Sequence, residues 1–223
     1  MAEIRPFPAG CPPKTIAARV ASVPYDVVDT VEALALAAGN PVSFLHVCRP
    51  EIDLPGGTDL HADAVYAKGR QNLDRFYAEG TLLHDAAPRL FVYRQTWRGR
   101  KQDGLVAACS VDDYDRDVIR KHEKTRPDKE NDRARHLLTQ SAHAEPVFFT
   151  YRAVPAVDAK VREVTAQPPE YDFVAPDGVT HTFWIVPEGD NAFFVEAFAA
   201  VPLLSCCAAA LSLQISSFFL HPF

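Results

Sequence analysis

Between residues 122 and 133 the chain reads His-Glu-Lys-Thr-Arg-Pro-Asp-Lys-Glu-Asn-Asp-Arg, so a proline interrupts a run of one histidine, four acids and four bases. Proline drives the preceding residue out of the helical region and suits the first turn of a helix. The spacing therefore predicts two helices, Asp112 to Lys121 and Pro127 to Ser141, joined by an irregular link that carries His122, Glu123, Thr125 and Arg126. In the second helix Arg126, Lys129, Arg133 and His136 recur three or four positions apart and share one side, while Leu137 and Leu138 supply apolar surface. A helix N-terminus adds unsatisfied N–H donors, so its start with this basic stripe is a candidate phosphate or carboxylate site. Glu123, just upstream, is a candidate base or magnesium ligand with His122 beside it. The competing reading is a solvated helix laced with i, i+4 charge pairs.

The chain has 223 residues and an apolar content of 48%, enough for one sizeable domain or two small ones. A net charge of −6 with scattered bases gives no electrostatic footprint for DNA or RNA. Five cysteines, Cys11, Cys48, Cys109, Cys206 and Cys207, lack metal-ligand spacing, and free thiols fit a reducing, cytoplasmic compartment. Met1 to Gly10 carries charge and two prolines where a signal peptide needs an apolar run. A helical zinc site is disfavoured as well, because Arg126 stands at i+4 from His122 where a second histidine is needed.

Along the sequence, Thr30 is placed to cap a helix ending at Ala38, and Val42 to Cys48 reads as a short buried strand. Ala62 to Glu79 reads as a helix with Tyr66, Leu73, Phe76 and Tyr77 on one stripe. Arg89 to Trp97 and Gly104 to Val111 form a hairpin joined by the polar turn Arg98 to Asp103. A strand at Pro146 to Tyr151, a helix at Ala156 to Thr165, a hairpin about Pro176-Asp177-Gly178 and an apolar helix at Asn191 to Val201 follow. Hairpins mixed with helices make the class α+β, a mixed sheet with flanking helices, in a single domain over residues 1–202. Residues 203–223 are apolar and serine-rich, open to reading as a membrane anchor, a buried segment or an unrelated continuation; Pro202, Gln214 and the lack of flanking Lys or Arg disfavour the membrane.

The strings Pro24-Tyr25-Asp26-Val27-Val28, Asn40-Pro41-Val42-Ser43-Phe44-Leu45-His46-Val47, Arg49-Pro50-Glu51-Ile52-Asp53, Tyr93-Arg94-Gln95 and Ile119-Arg120-Lys121-His122-Glu123-Lys124-Thr125 resemble the prokaryotic "domain of unknown function 1015" family. The resemblance covers about Glu3 to Val201. It implies a likeness to ParB-like nucleotide enzymes, including free serine kinases, whose next strand would read Tyr-Ile-Ala-Asp-Gly-His-His-Arg. The sequence reads Leu203-Leu204-Ser205-Cys206-Cys207 there, so the ParB-like core is expected to be incomplete, truncated at its C-terminal end. The implied function is small-molecule, serine-like phosphotransfer with ATP and Mg2+, impaired here, with a non-catalytic nucleotide-binding or regulatory module as the alternative. Glu123 and His122 are the catalytic candidates. Arg126, Lys129, Arg133, Thr125, Asp26 and Arg49 are the phosphate or substrate candidates, and no metal-ligand set is assigned. Asp26 is equally readable as the close of a turn, and His46, flanked by apolar residues, as a core histidine.

Overall fold

The computed structural model describes residues 1–121, 126–206 and 221–222. In sequence order the main elements are α1 (Thr30–Ala37), α2 (Leu45–Cys48), α3 (Asp63–Ala78), β1 (Phe91–Trp97), β2 (Arg100–Val106), α4 (Val111–Asp115), β3 (Ile119–Arg120) and α5 (Pro127–Gln140). They continue as β4 (Phe149–Thr150), α6 (Pro155–Thr165), β5 (Tyr171–Val174), β6 (Thr180–Ile185), α7 (Asn191–Phe198) and β7 (Leu204–Cys206). The fold is α+β, and the protein divides into two compact units, one of residues 1–8, 86–123 and 147–209, the other of 9–85, 124–146 and 210–223.

The first unit is built on an antiparallel sheet in the order β5-β6-β1-β2. The β1–β2 turn is shorter than the sequence implies. Arg98 and Gly99 adopt φ of 48° and 76°, a tight two-residue turn whose twist matches the flanking strands, so Arg100 to Asp103 join the ladder instead of forming a loop. Arg94 and Asp103 thus become cross-strand partners, with Nε 2.6 Å from Oδ1. Leu90, Val92, Trp184 and Val186 pack with Val157, Val164, Phe194 and Phe198 of α6 and α7. The helix expected over Asp112 to Lys121 stops after α4, and Ile119–Arg120 instead pairs in parallel with β7, which pairs antiparallel with β4. Leu204 to Cys206, where an unrelated continuation is one expectation, is therefore a strand. Most of the tail beyond it lies outside the described residues, and among those described no helix is long and apolar enough to cross a membrane.

The second unit is helical and carries Asp26, Arg49, Lys129 and Arg133. In α3 the buried positions Val65, Tyr66, Gly69, Asn72, Leu73 and Phe76 follow the helical period, and Gly80 (φ 71°) ends the helix in the left-handed conformation. Val42 to Cys48 holds a helical turn, α2, rather than a strand; periodicity alone does not separate a short apolar strand from a buried helical turn. Phe44, Leu45, Val47 and Cys48 pack with Phe76, Leu73 and Leu82. Helix α1 is capped by Asp29 rather than Thr30: Asp29 Oδ1 accepts from the Glu32 backbone N–H, and Glu32 returns the bond to Asp29. Asp29→Ala is expected to lower stability by about 1 kcal/mol, read as a shifted urea midpoint at unchanged slope.

Pro127 at the first turn and Arg126, extended before it, set the start of α5 as the sequence implies, and Ser141 (φ 51°) ends it. Its buried side is polar: Asp132, His136 and Gln140 stand one turn apart and face α3, whereas Leu138 is exposed. Gly69 permits that approach, since a Cβ there would meet Gln140 Nε2 at 3.0 Å and the Val47 carbonyl at 3.2 Å. Gln140 Nε2 donates to that carbonyl (3.0 Å), tying α5 to α2.

Candidate functional site

Two adjoining concavities in the second unit share Tyr25, Arg49 and Lys129 as walls. The outer is a cleft of about 580 Å³ along Tyr25 to Asp29. The inner is a cavity of about 70 Å³ that adds Glu51, His61, Asp132, Arg133 and His136.

Each wall has a local cause. Pro24 holds the backbone extended ahead of the single 3-10 turn Tyr25–Val27, which presents Tyr25 and Asp26. Arg49 follows α2, where Pro50 opens a second 3-10 turn, Pro50–Asp53, that folds Glu51 back. Arg49 Nε lies 2.8 Å from Glu51 Oε1, close enough for an ion pair though not aligned for a hydrogen bond. Its Nη2 donates to Thr30 Oγ1 (3.3 Å), which in turn donates to Glu51 (3.2 Å). The Arg133 guanidinium stacks on the Tyr25 ring at 3.8 Å, with Nη2 3.2 Å from Asp132 and Nη1 3.4 Å from Glu145. Asp132 also accepts from the Tyr66 hydroxyl at 2.8 Å and has His61 Nδ1 at 3.3 Å. His136 packs edge-on against Tyr66, its Nε2 3.9 Å from Asp132.

The electrostatics are those of a partly dry site. Burial would raise the Asp132 carboxyl, but Tyr66, Arg133, His136 and His61 outweigh it and hold its pKa below the usual range. Burial first, then the nearby Arg133 charge, lowers His136 to about 4 against the pull of Asp132, so its imidazole is neutral. Burial raises Glu145 to about 7; Arg133 opposes this and Asp26 adds to it. One Glu145 oxygen, Oε1, is sealed and has no hydrogen-bond partner. Burial also raises Tyr25, to about 12, and the Cys48 thiol, which makes Cys48 a core residue and a poor nucleophile.

Of the residues singled out in the sequence, Asp26, Arg49, Lys129 and Arg133 line these concavities. Arg126 does not: it is exposed and pairs with Asp128 (2.7 Å), so the basic stripe splits at the first turn of α5. His122, Glu123 and Thr125 lie outside the described residues. His46 is on α2 and only partly buried; it bonds Asp53 through Nδ1 (3.0 Å) and the Asn40 carbonyl through Nε2 (3.2 Å). Sequence reasoning missed Tyr66, His61 and Glu145 as site residues, because their partners stand 66, 71 and 12 positions away. Asp132 and His136, at i and i+4 on a helix with few apolar residues, were the available signal.

No group of three or more His, Cys, Asp or Glu poised for a metal occurs among the described residues. Magnesium often needs only one or two carboxylates beside substrate phosphates, and Asp26 is a carboxylate of the outer cleft that fits that part. Neither the curated proteins nor the solved structures contain a match to this sequence. The profile described as "Protein of unknown function (DUF1015)" matches residues 4–205, nearly the whole length, and the chain therefore belongs to the DUF1015 family.

Proposed function

We propose that this protein binds the phosphate groups of a small molecule, a nucleotide being the first choice, across the two adjoining concavities of its helical unit. The observation that carries the reading is the convergence of Arg49, from the loop after α2, with Lys129 and Arg133, from α5, on one recess. Three cationic groups, Arg49 and Arg133 partly buried and Lys129 exposed, favour an anion with several oxygens. ATP with Mg2+ would place its phosphates against these three residues and its metal near Asp26. The test is thermal unfolding and calorimetry of the full-length protein with ATP, ADP and CTP, with and without magnesium. A ligand at a hundred times its Kd should stabilise by about 2.7 kcal/mol. Lys129→Met, which removes an exposed charge, should weaken binding about five- to tenfold, and no stabilisation by any nucleotide would remove the reading.

A second reading is serine-like phosphotransfer, favoured by the Glu145 carboxyl, which is held near neutrality beside Arg133. Phosphoryl transfer rests on positioning and charge stabilisation, which Arg49, Arg133 and Lys129 would supply beside the Glu145 carboxyl. Incubation with ATP, magnesium and serine separates the two: phosphoserine supports transfer, and binding without product supports a binding module.

A further inference from the structure

We propose that the inner cavity is the seat of one terminal phosphoryl group, gripped by Arg49, Arg133 and Lys129 and touched by His136, while the rest of a phosphate monoester or nucleotide occupies the outer cleft. The proposal rests on the anion-binding reading above and adds which recess takes which part of the ligand. Its first support is size: about 70 Å³ is several times the ~10–15 Å³ that one water needs, and far below what a nucleoside needs. Its second is that His136, only 8% exposed, lines the recess and holds one ring nitrogen, Nδ1, without a hydrogen-bond partner. Buried polar atoms normally find partners, and a phosphoryl oxygen would accept from the tautomer that carries its proton on Nδ1.

Charge points the same way. The cavity walls carry three cationic side chains, Arg49, Lys129 and Arg133, against the two carboxylates Glu51 and Asp132, with Glu145 beside Arg133 outside the lining. That balance suits a dianion better than a metal cation. The groups facing His136 are Arg133, Asp132, Arg49 and His61, with the Tyr66 ring against its edge. A dianion beside Arg133 and Arg49 would offset their pressure on the imidazole.

The experiment uses the full-length protein labelled with ¹⁵N-histidine and titrated with inorganic phosphate near neutral pH, His136 being assigned with His136→Gln. The imidazole signals of His136 and His61 are expected to move together and saturate, at the affinity calorimetry gives for phosphate. Those of His181, which is buried in the other unit, should stay still. His136→Gln should weaken phosphate binding about tenfold. If ATP binds and the His136 signal does not move, the assignment of the cavity is wrong and the anion-binding reading survives. If acetate moves the signals as strongly as phosphate at equal concentration, the phosphoryl assignment is wrong. If neither phosphate nor nucleotide binds, both readings fall.

Discussion

Arg133→Met is expected to lower the affinity for ATP or inorganic phosphate by about a hundredfold, the largest effect of any single change in the site. Arg133 is firmly anchored: it stacks on Tyr25 at 3.8 Å, approaches Asp132 at 3.2 Å and Glu145 at 3.4 Å, and keeps 26% of its side chain exposed. A charge-assisted contact at such a site contributes about 2–3 kcal/mol, and each 1.4 kcal/mol is a factor of ten. Methionine retains much of the length and apolar stem, so packing on Tyr25 is largely preserved while the charge is lost. Arg133→Lys should recover only part of the affinity, because a lysine keeps the charge but not the planar stack and fork. Calorimetry measures both, with urea unfolding of each variant as the control. Asp132 keeps its bond from Tyr66 in either variant, which anchors α5 against α3.

The second large effect concerns pH. Folding keeps the proton on Glu145 up to about pH 7, whereas in the unfolded protein it leaves near 4.5. The stability tied to this proton is therefore whole below 4.5 and is lost as pH rises to 7, by about 1.4 kcal/mol per unit and on the order of 3 kcal/mol in all. Glu145→Gln keeps the shape of the protonated acid and has no proton to lose. It should match the native protein near pH 4.5 and exceed it by on the order of 3 kcal/mol at pH 8, measured as urea midpoints across the range. A Gln variant less stable than the native protein at pH 8 would mean that the ionised Glu145–Arg133 pair outweighs the cost of burying the carboxylate.

Much of the scaffold is readable from local rules, since helical periodicity marks α3 and proline and glycine mark the ends of α3 and α5. Two local departures have local causes. The run from Val42 is too short for its period to separate a strand from a helical turn, and the tight turn at Arg98-Gly99 is hidden because arginine seldom takes positive φ. The site is legible in part. Arg49, Lys129, Arg133 and Asp26 are visible as charges without an apolar reason, but Arg126, on the same side of the helical wheel, turns to Asp128. What spacing does not reveal is the packing that buries a polar side of α5. A glycine at 69 brings Gln140 within reach of the Val47 carbonyl, and Asp132 and His136 then meet Tyr66 and His61, sequence neighbours of neither. Burial, not sequence spacing, is also what moves His136 and Glu145 away from their ordinary pKa.

The most direct measurement is a crystal structure of the full-length protein grown with a non-hydrolysable ATP analogue and magnesium. The account predicts phosphate oxygens at hydrogen-bond distance, ~2.7–3.2 Å, from Arg49, Lys129 and Arg133, with the nucleoside in the cleft along Tyr25 to Asp29. A nucleotide bound elsewhere, or none bound at saturating concentration with Arg133 still stacked on Tyr25, would contradict it.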